Sequence, residues 1–203
     1  MEVNIIPAFP TPIAIVNKFI SEEECDDLTK KFNQLVPMKP HPAIDGKAFS
    51  SHYTVHDLSN FLSKETYDRL NLIINETANA IGLPKLVLFN SWVNIQHKNS
   101  RLKYHSHPNS ELSGALYLNV NDDGGRLQLE SPNPFVHFTS YKKETVFNDK
   151  MWIKPQKGDL VIFPSYVRHG SFDNNMDNRM VFSFNTISPD YKSFLLSNEE
   201  KDS

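Results

Sequence analysis

Two patterns of hydrophobic and polar positions meet at Pro84. Before it, apolar residues recur every three or four positions in two stretches. Cys25, Leu28, Phe32 and Leu35 follow Ser21, and Glu24 lies three residues beyond that serine. Ser-x-x-Glu ahead of an apolar stripe is a capping-box start, so a helix is predicted from Ser21 with those four residues on its buried face. A second helix is predicted from about Ser63 to Ile81, with Leu70, Ile73, Ile74, Thr77 and Ile81 inward and Gly82 as its stop. Asn4 to Val16, broken by prolines at 7, 10 and 12, reads as an edge strand. Residues 37–60 show neither period and are rich in Pro, His, Ser and Asp. They read as a long loop, a length that suits a substrate-facing segment covering a pocket mouth with His52, Tyr53 and His56.

After Pro84 the period becomes two. Strands are predicted at 86–97, 101–107, 112–120, 126–130, 143–147, 151–153, 159–163 and 178–187, parted by Asn, Gly, Pro and Asp turn signals. Short strands following two helices predict an α+β, mainly β protein whose antiparallel core closes as a sandwich or barrel. No repeat or linker divides the chain. One domain over 1–203 is expected, with helical support at 1–83, a β core at 84–190 and a tail at 191–203.

Composition narrows the partners. A net charge of -3 gives no electrostatic case for nucleic acid or an anionic membrane. Arg126, Lys142, Lys143, Lys150, Lys154 and Lys157 read as solvated strand faces. Cys25 is the sole cysteine, so an internal disulfide and a multi-thiolate metal site are both excluded. No basic-then-apolar leader and no apolar run of roughly 20 residues is present, so a cytoplasmic address is expected. A homodimer is compatible with these properties.

The chemistry lies in two segments, Tyr104-His-Ser-His107 and Pro164-Ser-Tyr-Val-Arg-His169, followed by Arg179. Histidines two apart on a strand share a face, about 6.5–7 Å apart along the chain, and can converge on one cation. His169 follows a buried strand and a proline turn, a rigid place for a third ligand. Imidazole suits Fe, Zn, Cu and Ni, so ligand type does not select the metal. His41, His52, His56, His97 and His137 read as non-ligands. On a strand opening at 179, Arg179, Val181, Ser183 and Asn185 share a face. An inward arginine needs a partner, and its fork matches a carboxylate. Inward amides also need partners, which singles out Asn94 and Asn185. Trp92, Tyr104, Tyr117, Trp152 and Tyr166 are further candidates for a pocket lining.

His169 with Arg179 ten positions on, after Gly158-Asp-Leu-Val-Ile-Phe-Pro-Ser165, resembles the C-terminal half of the 2-oxoglutarate- and Fe(II)-dependent oxygenases. Trp92-Val-Asn94, the run from His105 to Leu118, and Gly124-Gly-Arg-Leu-Gln-Leu-Glu-Ser-Pro132 extend the resemblance, which is to a group found in bacteria and their viruses. It covers 86–187 in detail. It implies a double-stranded β-helix (jelly roll) with Fe(II) held by His105, His107 and His169. It also implies Arg179 on the C5 carboxylate of 2-oxoglutarate, helped by Ser183 or Tyr117. O2 would be co-substrate and succinate a product. The reaction implied is hydroxylation of an unknown small molecule, peptide or protein.

One position departs from the family pattern. His107 stands where an aspartate or glutamate is expected, leaving the centre one unit more positive. Either three histidines serve as ligands, or Glu111, six residues past His105, completes the set in place of His107. A vacant third position is the remaining option. The same spacing also fits a cupin, through His105-x-His107-x3-Glu111 and Gly158-x5-Pro164-x4-His169. That reading keeps the fold but makes the protein a metal-dependent enzyme or binding module that does not use 2-oxoglutarate. Arg179 favours the oxygenase, since a cupin has no general need for it.

Overall fold

A computed structural model describes residues 10–133 and 148–199. The strand expected at 143–147, the start of the edge strand at 4–9 and His137 lie outside them. Two helices, α1 (Glu22–Leu35) and α2 (Lys64–Ala80), precede the long strands that begin at Val87. Ser21 caps α1 by accepting the Glu24 N–H, and Ser63 caps α2 by accepting the Thr66 N–H. The Glu24 carboxylate does not close the capping box. It accepts instead from the Thr66 hydroxyl, which ties the start of one helix to the start of the other. On α1, Cys25, Leu28 and Phe32 are buried as expected, but Leu35 is 65% exposed because the chain leaves the helix at Val36. On α2, Leu70 and Ile74 are buried. Ala78 completes the stripe in place of Thr77, which is only half-buried.

Among the described residues twelve strands form two antiparallel sheets. β1 (Ala14–Val16), β2 (Lys39–Pro40), β4 (Ala48–Ser50), β5 (Val87–Gln96), β7 (Leu112–Asn119), β10 (Leu160–Pro164) and β12 (Arg179–Ile187) pair in the order β1-β10-β7-β12-β5-β4-β2. β3 (Ile44–Asp45), β6 (Arg101–His105), β8 (Gly124–Glu130), β9 (Lys150–Ile153) and β11 (His169–Asn174) pair as β3-β6-β11-β8-β9. From β5 to β12 the chain switches sheets at every step except β8 to β9, which is jelly-roll topology. Among the described residues β1, the last part of the edge strand expected over 4–16, pairs with β10 alone.

The period-two pattern sorts two layers. Val93, Leu116, Ile162, Phe182 and Phe184 face α1 and α2, where Phe32 stacks on Phe182 at 6.0 Å. Ala115, Tyr117, Val161, Phe163 and Val181 face inward onto Leu127, Leu129 and Ile153 of the other sheet. A bulge between Asn185 and Thr186 shifts the β12–β5 register. Leu88 can therefore pack under the helices while Asn90, Trp92, Asn94 and Gln96 face the sandwich interior. Gly114 sits opposite Phe184, and a Cβ there would fall 2.1 Å from Cζ of that ring.

Three expectations change. The 37–60 segment is not a bare loop: β2 and β4 extend one sheet, β3 extends the other, and a 3-10 turn spans Ser59–Phe61. Buried Leu58 anchors it. β11 is a full strand where the sequence offered one apolar residue, Phe172, among Gly and polar ones. A helix α3 (Pro189–Glu199) runs from the end of the expected β core into the stretch 191–203 read as a tail.

Candidate metal centre

His169 opens β11 and pairs in register with His105, the last residue of β6. His107 follows two residues on, held by its N–H donating to the Ser165 carbonyl at 2.9 Å. One nitrogen from each of the three imidazoles lies within 4.8 Å of the others. The histidines at 105, 107 and 169 thus converge as the two segments implied. His105 Nδ1 lies 2.9 Å from the Lys103 carbonyl, and His169 Nδ1 lies 3.0 Å from the Val167 carbonyl. A carbonyl only accepts, so each Nδ1 carries hydrogen and each Nε2 keeps its lone pair. His107 is placed by ring packing, 5.5 Å from Trp92 and 5.0–5.1 Å from the other two imidazoles. Burial lowers all three pKa values, most plainly for His107, pushed down to about 3, with His105 and His52 contributing. Three neutral imidazoles facing one point are chemically suited to a divalent cation. Glu111 is not among them. Its Oε1 accepts from the Ser188 N–H at 3.3 Å, and its backbone bonds Thr186 and Ser165.

The triad opens on a cavity of about 360 Å³ between the sheets. Arg179, Val181, Ser183 and Asn185 line it from β12, Ser113, Ala115 and Tyr117 from β7, and Trp92, Asn94 and Gln96 from β5. Arg179 is 3% exposed and makes no ion pair among the described residues. Its Nη1 donates to Gln96 Oε1 at 2.6 Å, its guanidinium lies 5.3 Å over the Tyr117 ring, and its Nε has no acceptor. Burial lowers the Arg179 pKa and Tyr117 counters this. The shift starts from so high a value that the charge stays. Burial also raises the Tyr117 pKa, so the ring beside Arg179 is uncharged. Asn94 is 7% exposed, and its Oδ1 is unpartnered. A buried cation with an unsatisfied N–H is costly unless an anion joins it, whereas the Asn94 Oδ1 needs a donor.

Other candidates separate. Asn185 is satisfied within the protein: Ser113 Oγ donates to its Oδ1 at 2.7 Å and its Nδ2 donates to Asn90 at 3.0 Å. His52 and Tyr53 reach the cavity with His41, whereas His56 does not. Tyr104, Trp152 and Tyr166 do not line it. Tyr104 and Trp152 pack against Phe172, with Arg168 and Arg126 over their rings. Tyr166 is exposed. Gln96 was missed, although it lies two positions beyond Asn94 on the same strand face, and that spacing alone could have found it.

Comparison with known proteins agrees with this arrangement. Residues 90–185 match the family model described as "Putative 2OG-Fe(II) oxygenase". No curated protein sequence matches the chain. Among solved structures, a 2OG-Fe(II) oxygenase family oxidoreductase from Burkholderia pseudomallei is 14% identical, with a TM-score of 0.59 over 86% of this chain and 84% of its own. HygX of Streptomyces hygroscopicus, solved with nickel and 2-oxoglutarate, is 12% identical, with a TM-score of 0.58 over 88% and 84%. A Pseudomonas putida prolyl-4-hydroxylase is 15% identical, with a TM-score of 0.58 over 88% and 94%. At such identities these likenesses carry the fold. The chain therefore bears the sequence signature of the 2OG-Fe(II) oxygenases over residues 90–185, on the jelly-roll fold of solved members of that family.

Proposed function

We propose that the protein is an Fe(II)- and 2-oxoglutarate-dependent dioxygenase that hydroxylates a small-molecule or peptide substrate. The observation that carries this reading is Arg179: a buried guanidinium with no carboxylate partner among the described residues, in the same cavity as three converging imidazoles. A cupin that does not use a keto acid leaves that charge unexplained.

His105, His107 and His169 would hold iron, and Arg179 would hold the distal carboxylate of 2-oxoglutarate. The orphaned Arg179 Nε fits an anionic acceptor, and the orphaned Asn94 Oδ1 in the same cavity fits a donor on a second group. Bound there, iron and 2-oxoglutarate would supply oxidative decarboxylation of the keto acid, with one atom of O2 entering succinate, the other entering a substrate C–H bond as hydroxyl, and CO2 released. The chain positions and shields. The Lys103 and Val167 carbonyls fix two imidazole tautomers before metal arrives, so little reorganisation remains. Leu127, Phe163 and Val181 line the interior with apolar surface, which limits water around the clamp and strengthens its attraction for an anion. Tyr117, whose ring lies under the Arg179 guanidinium, and Ser183, farther along the same face of β12, line the cavity as further donors. His41, His52 and Tyr53 border the side where a substrate would enter.

The test is anaerobic titration of Fe(II) and then 2-oxoglutarate, followed by succinate measurement after O2 is admitted. Metal-dependent keto-acid binding and succinate release support the reading. Metal binding without any affinity for 2-oxoglutarate would overturn it in favour of a cupin-type site.

A further inference from the structure

Arg179 and Gln96 are directly opposite in the β12–β5 register, and Gln96 is 1% exposed. Both atoms of the Arg179 contact are defined: Nη1 only donates, so the Gln96 carbonyl oxygen must face it, at 2.6 Å. Ser171 locks that amide from the other sheet, its Oγ lying 2.9 Å from Gln96 Nε2 and 3.1 Å from Oε1. Ser171 in turn accepts from the Leu102 N–H at 3.3 Å. It sits two residues after His169 on β11, so the serine and the candidate ligand are fixed by one stretch of strand. The chain Arg179–Gln96–Ser171 thus links the anion clamp to the strand that carries a metal ligand.

We propose that Gln96 is a positioning residue for the keto acid, a neutral acceptor braced by Ser171 that aims Arg179 into the cavity without quenching its charge. A glutamate of the same shape would still accept from Arg179 and Ser171, losing only the Nε2–H donated to Ser171, but would supply the carboxylate that the ligand is meant to bring. Neutrality at position 96 is what keeps the site open to an anion, and bracing by Ser171 sets the distance from clamp to metal. The inference rests on the keto-acid reading of the cavity.

The test compares Gln96→Glu with wild type by calorimetric titration of 2-oxoglutarate into the Fe(II)-loaded, full-length protein without O2, beside Fe(II) affinity and thermal melting. Gln96→Glu should fold at least as stably and bind Fe(II) unchanged. Its affinity for 2-oxoglutarate should fall roughly 10- to 100-fold, the range of a hydrogen-bonded charge lost. A purely structural Gln96 would tolerate glutamate, so unchanged 2-oxoglutarate affinity overturns the proposal. If the glutamate variant fails to fold, Ser171→Ala carries the test. It should weaken 2-oxoglutarate several-fold and narrow the preference over 2-oxoadipate, one carbon longer; wild-type values for both would overturn the proposal. Wild-type protein that binds Fe(II) but never 2-oxoglutarate would instead refute the reading of the cavity itself, and this inference with it.

Discussion

His105 and His169 face each other across the β6–β11 pair, and each is oriented by the carbonyl two residues before it. Two strands from distant parts of the sequence thus present matched imidazoles, while His107 extends past the end of β6 without a ring hydrogen bond of that kind. The three positions should therefore not respond alike. His105→Ala and His169→Ala are expected to abolish stoichiometric Fe(II) binding. His107→Asp should retain it, because a carboxylate there supplies an equivalent ligand with an added negative charge. The same variant should bind 2-oxoglutarate more weakly than wild type, since the centre is less positive. Metal analysis and anaerobic titration give both values, and loss of metal in His107→Asp would contradict the assignment.

Arg179→Met should change stability and binding in opposite directions. Replacing a buried guanidinium that has no ion-pair partner by an apolar side chain of similar volume removes a desolvation cost of several kcal/mol, against the loss of its hydrogen bond to Gln96, worth roughly 1.5–3 kcal/mol. The ligand-free variant should melt at or above the wild-type temperature, while its affinity for 2-oxoglutarate falls by roughly 30-fold or more. Melting curves with and without 2-oxoglutarate show both effects. A variant less stable than wild type but with unchanged affinity would mean that Arg179 serves the core and not a ligand.

The metal-free protein should lose stability as pH falls. Burial first, with neighbouring imidazoles after it, pushes His107 down from 6.5 to about 3 and His41 from 6.5 to about 4. Unfolding returns both to ordinary values, so below about pH 6.5 the unfolded chain takes up protons that the folded chain refuses. Neither ring costs stability above that pH; the loss accumulates below it, down to about pH 4 for His41 and about pH 3 for His107. Melting temperature followed from about pH 7.5 to 4.5 should drop, and His41→Gln should flatten part of the drop. A level profile would show that these rings are not held neutral.

Gly114→Ala should destabilise the sandwich with no direct effect on the metal ligands. The added methyl would overlap the Phe184 ring, which is pinned between β7 and the helices. Overpacking of this kind costs about 1–3 kcal/mol. Denaturant unfolding measures it, and Gly114→Ala combined with Phe184→Leu should recover part of the loss.

Legibility in the sequence followed the strength of local signals. β12 was readable because Phe182 and Phe184 alternate with Val181 and Ser183, so the direction of Arg179 followed from period two alone. β11 was not readable, because His169-Gly-Ser-Phe-Asp-Asn174 has almost no apolar alternation. Its strand state comes from pairing with β6 and β8 on both sides, which is tertiary information. Leu35 was placed inside because its spacing fits, yet helical period says nothing about where the neighbouring sheet ends. Glu111 was a fair alternative ligand by spacing. Its Oε1 bond to the Ser188 N–H depends on the β12–α3 junction, which a local reading cannot see. Gln96 lay within reach of the same face argument that found Asn94.

The segment from Lys39 to Ser50 has a role that a free lid would not have. It places strands in both sheets, and His41 and Ala43 between those strands border the cavity. Rim and framework are therefore one piece of chain. A change that reshapes the entrance for another substrate also disturbs pairing at the margins of two sheets, so selectivity and folding stability are inherited together. Broadening what the pocket accepts would then begin with single side chains such as His52 or Tyr53, whose rings point to the cavity, and not with insertions or deletions in the backbone that carries them.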